Sequence, residues 1–500
     1  MKFYKIDNAL IEAIEVGDKQ VRVRIDIDFT GDGSFESVFE QDILEADFYG
    51  LKEVAGGTSA RGEVLLDNPN GIYAYTGAGP GTQVKVSFSL GEGLPWFERF
   101  IFYLDDNGIQ DIRGPGRKRY VRLGLRDLSY KLRKTDEARD WTAPAVFTYS
   151  VICDKTHPEK SLVHGIAQRA GLGVTDIDCS TIPVTLPYAR LRKNIWAELS
   201  ELATAYRCHL ECAPEKPLVF AHSPYQAEPL LEDEYSYTFT GENIFYLRKT
   251  SRAELYRNTV RLKTNLPVEL EKQEIWRYDE APVLYDDLLQ AHYPFKYPLV
   301  REIEAGSYEA RYRIIETGGK ERAVVYADTI DTQEEAESRL EYEGGPFSYS
   351  TYDVTTNHDR AILTLHKEAD GNLYKAVIYG RPIVLDLNRS CFLRNEEGIT
   401  AYGTAALNVT GSYFSDYEID GKPQYEDWVS RELTERIKNN REFTVKTHRG
   451  LFNARVGAKV RILTQRELSQ GTINAFTFRY RKDEAFQSTF HITEGGSNET

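Results

Sequence analysis

Gly81-Thr82-Gln83-Val84-Lys85-Val86-Ser87-Phe88 and Val456-Gly457-Ala458-Lys459-Val460-Arg461-Ile462 lie near opposite ends of a 500-residue chain and read alike. Each is a glycine-led turn followed by a strand in which apolar and polar residues alternate, so one face is buried and the other meets solvent or a partner. Each is followed by more strand-rich sequence, Phe97 to Tyr103 in the first case and Ile473 to Tyr480 in the second. The alternation makes Val84, Val86, Val460 and Ile462 core residues. A β-barrel used twice in one chain suggests a protein that builds a ring, an assembly architecture rather than a catalytic one.

The rest of the chain fits a mainly β protein with α+β insertions. Val21 to Asp28 alternates strictly and predicts a strand, with the turn Thr30-Gly31-Asp32-Gly33 after it. Arg61 to Leu66 is a further strand, stopped by Asp67-Asn68-Pro69-Asn70-Gly71. The first barrel domain is expected over 1–140, with Asp136 to Pro144 as a linker. An α+β domain follows over 145–250. It carries helices at Lys160–Gly171 and Asn194–Tyr206, and a hairpin from Cys208 to Phe220 turning at Ala213-Pro214. Residues 251–265, centred on Asn258 to Lys263, are expected to return to the first barrel as a strand. A β-rich domain over 266–420 holds an acidic helix at Thr332–Tyr342, with Ala376–Pro382 and Ile399–Gly403 around its last part. A helix from Tyr425 to about Asn439 then leads into a second barrel, the two filling 421–493, and 494–500 is a disordered tail.

Composition narrows the function. The net charge is -15, whereas a static nucleic-acid-binding module draws its affinity from Lys and Arg at phosphates. An acidic surface instead suits a conduit through which DNA slides without sticking. Five cysteines, Cys153, Cys179, Cys208, Cys212 and Cys391, are too scattered for a disulfide framework and leave an odd one over, as in a reducing cytosol. No apolar run is long enough to span a bilayer, and the first residues lack the apolar core of a signal peptide.

The order of these pieces resembles the tail-tip hub family of tailed bacteriophages, which includes the baseplate hubs of contractile phages. Four passages carry the likeness: Leu65–Tyr73, the helix and hairpin Ile195 to Phe220, Ile399–Gly403 with Val409-Thr410 and the helix near Trp428, and the closing barrel from Val456. Residues 265–355 match no element of that family. The resemblance implies a homotrimer in which two tube-like barrels per chain form a pseudo-sixfold ring. It implies a distal tail protein or tail tube above, a tape-measure protein inside, and a tail fibre or receptor-binding protein below. DNA would cross the channel without specific binding, and the chain, made in the host cytoplasm, would end in the virion tail tip. A cell-wall-degrading tail enzyme and a receptor-binding tail protein are the two other readings.

Motifs for chemistry are sparse. Asp28, Thr30, Asp32 and Glu36 fall at calcium-loop spacing with Gly33 at the sixth place. Phe39 stands where a bidentate acid is needed, and a strand precedes the loop, so a hairpin turn is the plainer reading. Gly77–Gly81 lacks the following helix and the Lys-Ser/Thr of a phosphate loop. Cys208 and Cys212 with His209 and His157 offer no paired zinc knuckle, and Trp196 and Trp428 read as helix core residues. No His-Glu-x-x-His or Gly-x-Ser-x-Gly pattern occurs, and Glu337-Ser338 lacks the rest of a lytic transglycosylase motif. No catalytic residue, cofactor or metal is therefore assigned, and the protein is expected not to be an enzyme.

Overall fold

The computed structural model describes residues 4–494 except 17–19, 54–56, 76–77, 116–117, 136–145, 223–235, 252–255, 280–305, 312, 317–319, 325, 329–339, 342–348, 358–359, 368–374, 420, 439–440 and 466–467. The chain is mainly β with α+β insertions. Its main sheet has 16 strands, and twelve of them form two units built alike.

The first unit comprises β1 (Val21–Ile27), β2 (Ile43–Lys52), β3 (Gly57–Asp67), β4 (Gln83–Leu90), β5 (Phe97–Arg113) and β6 (Arg119–Arg126). The second comprises β7 (Tyr237–Thr240), β8 (Tyr246–Ser251), β9 (Arg441–Thr447), β10 (Lys459–Leu463), β11 (Leu468–Arg481) and β12 (Gln487–Glu494). The spatial order in the first is β1-β4-β5-β6-β3-β2, and in the second β7-β10-β11-β12-β9-β8. Strand for strand, the two orders are the same. They differ in one pairing, since β1 runs antiparallel to β4 whereas β7 runs parallel to β10.

The equivalence extends to single hydrogen bonds at the two glycine-led turns. Gly81, at φ 87°, donates its amide to the Leu104 carbonyl at 2.8 Å, and Leu104 donates back to Thr82 at 2.9 Å. Gly457, at φ 84°, donates to Ile473 at 2.7 Å, and Ile473 donates back to Ala458 at 3.0 Å. A positive φ is nearly free only for glycine, which explains why the same residue begins both strands. Val84, Val86, Val460 and Ile462 are all buried, as the alternation requires.

The units share one sheet and one core. β11 is long enough to serve three neighbours: its first residues pair with β10, its middle with β12, and Ala475 to Arg481 pair with β2 of the first unit. Phe88 of β4 is fully buried and packs on Phe48 and Phe100 of its own unit and on Phe452, Phe478 and Phe486 from the other chain end. At Gly50 a side chain would run into the Phe476 ring, so a glycine lets the two strands close over it.

The α+β region lies between the units in sequence and packs beside the first. Helices Leu162–Gln168 and Ile195–Ala205 are N-capped by Ser161 and Asn194, whose side chains accept backbone amides. The hairpin Cys208–Glu211 with Leu218–His222 joins the main sheet through a short parallel pairing to β3. A helix not expected from the sequence, Leu128–Lys134, follows β6 and is capped by Asp127. Asp127 is buried. Its carboxylate accepts from Ala60 N at 2.5 Å and Ser129 N at 3.1 Å, yet burial pushes it up to about 6. Between the ordinary carboxylate value of about 4 and pH ~6, the folded chain then holds a proton that the unfolded chain releases. This contribution to stability is present below that window and is lost as pH rises through it, by roughly 1–3 kcal/mol. The stability of wild type relative to Asp127→Asn should therefore fall by that amount between about pH 4.5 and 7, read from urea midpoints. An unchanged difference would show that the carboxylate is ionised throughout.

Two expectations are corrected. Thr259–Glu269 does not return to the first unit; it pairs antiparallel with Lys375–Arg394 and parallel with Ala406–Gly411, and the helix Gln424–Lys438 packs against it. Ile399 to Tyr402, in one of the passages that carry the resemblance, lie in the helix Glu396–Tyr402, capped by Asn395 with two acids in its first turn and ended by Gly403. Leu340–Glu341 is a strand where the acidic helix was expected, and the remainder of Thr332–Tyr342 lies outside the described residues. So do the linker Asp136–Pro144 and all of the tail after Glu494.

Candidate functional site: the joint between the units

The joint is where the sequence's two ends become one body, and it is built from three layers. The outermost is the β2–β11 ladder, with Glu45 opposite Arg481 and Phe48 opposite Phe478. Asp47 accepts from both terminal nitrogens of Arg481, at 2.9 and 2.8 Å, and lies 3.4 Å from Arg479 Nε. A bidentate fork of this kind fixes register as well as adding energy. Beneath it lies the aromatic layer around Phe88.

The third layer is polar. Arg99 of β5 is buried, donating Nε to the Phe452 carbonyl and a terminal nitrogen to the Ala454 carbonyl, both at 2.9 Å. Its guanidinium also faces the rings of Tyr4 and Phe100. Burial pulls it down to about 10, and the neighbouring Arg455 adds to the fall. Arg455 in turn pairs with the buried Glu211, which also accepts the Tyr4 hydroxyl at 3.2 Å. His209 Nε2 lies 2.9 Å from the same carboxylate, but burial and the charge of Arg455 hold the imidazole well below its ordinary value, so it approaches as a neutral ring. The N-terminus, β5, the α+β hairpin and the loop before β10 thus converge on one ion pair and one guanidinium. Buried charge that is both paired and hydrogen-bonded fixes which partner segments can meet there.

The two-unit body also leaves strand edges. β8 has β9 on one side and, among the described residues, no strand on the other. At its start Phe245, Tyr246 and Leu247 are exposed. β5 has β4 along Phe97 to Tyr103 only, so Ile109 to Arg113 pair with β6 on one side and with no described strand on the other.

The residues singled out for a metal or cofactor are placed as follows. Asp28 spends both carboxylate oxygens on backbone amides, of Gly31 at 2.7 Å and Gly33 at 3.1 Å. Asp32 accepts from Thr30 Oγ1 and Ser34 N, while Glu36 begins a two-residue strand paired with β1. Gly31 and Gly33 both have positive φ, as a hairpin turn demands. Cys208, Cys212, His209 and His157 are not brought together: Cys208 Sγ lies 3.5 Å from the Tyr206 carbonyl and His157 lies beside the exposed Glu159. Trp196 and Trp428 are core residues. A different group converges, Cys153, His164 and Cys179, all buried, with their ligand atoms within 4.8 Å of one another. His164 Nδ1 is 2.8 Å from Ser161 Oγ. These three residues come from two strand ends and a helix, without the close sequence spacing that marks a zinc motif.

Among solved structures, the chain is similar to a tail protein from Neisseria meningitidis MC58, at 8% identity and a TM-score of 0.49, covering 95% of this chain and 96% of that one. It is also similar to the 43 kDa tail protein of prophage MuSo2 from Shewanella oneidensis, at 9% identity and a TM-score of 0.48, covering 94% and 98%. A third is prophage tail protein gp18 from Listeria monocytogenes EGD-e, at 9% identity and a TM-score of 0.41, covering 94% of each chain. All three are tail proteins. No protein-family model matches this chain, and no curated protein matches it. No helix among the described residues is long and apolar enough to cross a membrane.

Proposed function

We propose that this chain is the structural hub of a phage or prophage tail tip, which acts by assembly rather than by catalysis. Three copies, each contributing two like units, form a pseudo-sixfold ring that continues a sixfold tail tube into a threefold tip. The ring caps the tube, holds the end of the tape-measure protein and opens to let DNA pass, with a fibre or receptor-binding protein below. The observation that carries this reading is the repeated strand order of the two units, joined at one edge and, among the described residues, open at another. A unit that ends in an unpaired strand edge invites pairing with a further copy, and closure removes such edges. The net charge of -15 supports passage of DNA without adhesion. The Asp28–Glu36 loop serves in this reading as a turn, its first carboxylate already committed to amides.

A symmetry-resolved reconstruction of the assembled tip tests the proposal. Three copies with six equivalent units around the axis are expected. One copy, or six copies related by true sixfold symmetry, would refute it.

A further inference from the structure

Among the described residues the chain contains one joint between its units, and the two units are alike, so the same joint has a second half that no described strand fills. On the ring reading just proposed, we infer that β8 of one copy pairs antiparallel with Ile109 to Arg113 of β5 in the next copy, with Lys249 opposite Asp111. The occupant of each open edge is a second copy of this chain.

The register follows from equivalences between the units. Leu104 sits opposite Leu125 in the first unit, as Ile473 sits opposite Ile492 in the second. Counting along those strands, Asp111 opposite Val121 corresponds to Phe478 opposite Ser488. On the donor side, Phe48 faces Gly62, which faces Leu125, and Lys249 faces Phe443, which faces Ile492. Phe48 and Lys249 are therefore equivalent, and so are Phe478 and Asp111. Within the chain Phe48 lies opposite Phe478, so between chains Lys249 lies opposite Asp111.

Charge agrees with this register, although charge played no part in deriving it. In that register Lys249 stands opposite Asp111, Arg248 opposite Ile112, and Arg113 at the end of the stretch meets the uncharged Leu247. Asp111 has an exposed contact with Arg119 at 3.5 Å, so its carboxylate stays at the surface that an incoming strand would meet. In the joint inside the chain the polarity is reversed, with acids Glu45 and Asp47 on β2 facing Arg479 and Arg481 on β11. Opposite charges directly across a ladder stabilise it and like charges oppose it. A β2 from another copy would set Phe48 opposite Asp111 with the acid Asp47 beside it, whereas β8 sets Lys249 there with Arg248 beside it. The reversal thus separates the two joints and directs assembly around the ring.

Both key positions are exposed, so substitutions there should leave folding intact. The test uses the full chain carrying Lys249→Cys together with Asp111→Cys, oxidised at a concentration where sedimentation gives three copies. Disulfide-linked dimers and trimers are expected from the double variant. Neither single variant should give them, nor should the register-shifted pair Lys249→Cys with Arg113→Cys. In parallel, Lys249→Glu should weaken trimer formation by about tenfold, and adding Asp111→Lys should restore it, as expected of a charge pair in a ladder. Three copies without the 249–111 link would overturn the joint and leave the hub reading standing. A chain that stays monomeric at every concentration, and absent from any threefold tip, would remove both.

Discussion

Phe88→Ala is expected to cost about 3–5 kcal/mol, the range for truncating a fully buried phenylalanine in a core that cannot collapse around the gap. The ring is inaccessible to solvent and lies 5.3 Å from the Phe452 ring, 5.6 Å from Phe48 and 6.1 Å from Phe486. Because these neighbours come from both chain ends, the loss belongs to the joint rather than to one unit. Urea unfolding followed by hydrogen exchange should show amides of β4 and β12 losing protection together. Phe490→Ala provides the contrast, since Phe490 packs on Phe239 and Phe478 inside the second unit. If Phe88→Ala lowered the first unit's protection while β12 kept its own, the shared core would not be one cooperative body.

Much of this architecture was legible in the sequence because it rests on local rules. Glycine at a positive-φ turn, strict alternation in β1, β4 and β10, and capping residues ahead of the helices at 162 and 195 are each decided within a few residues. The equivalence of the units was only partly legible. Two of the second unit's strands, β7 and β8, precede an insertion of more than half that unit's sequence span, and nothing local says that they belong with β9. The same separation explains the misplacement of Thr259–Glu269, whose alternation announces a strand but cannot name its partner. The helix Glu396–Tyr402 holds the β-branched Ile399 and Thr400, which weaken the local signal, and the Asn395 cap with the acids Glu396 and Glu397 decides for it. The polar layer of the joint left no trace in sequence at all. Arg99, Glu211 and Arg455 stand far apart in unremarkable strands and loops, and only folding brings them into contact.

That polar layer supplies the second large expected effect. Glu211→Ala should destabilise the protein by about 3–5 kcal/mol, the cost of leaving a buried charge without its partner. Arg455 is 19% exposed at its side chain and Glu211 4%, so water cannot take the carboxylate's place. The loss would also strip the Tyr4 hydroxyl of its acceptor and put two guanidiniums, Arg455 and Arg99, side by side without an acid between them and solvent. The pair's worth lies in that dependence rather than in a large net attraction, because desolvating both ions consumes most of the Coulomb gain. Replacing both, Glu211→Leu with Arg455→Met, should therefore recover most of the stability, within about 1–2 kcal/mol of wild type. The resulting coupling, measured by urea unfolding of the two singles and the double, should change little with added salt, since buried charges are poorly screened. A cost below about 1 kcal/mol for Glu211→Ala, falling further at high salt, is what an exposed pair gives. It would mean that the joint is held by its ladder, its aromatic layer and the Arg99 bonds rather than by this ion pair. If the expected cost is found, the double variant becomes the sharper probe of function. It would restore stability while removing the ion pair on which the N-terminal segment, the hairpin and the loop before β10 converge, and a ring that then assembles with altered symmetry would place the specificity of the joint in this ion pair.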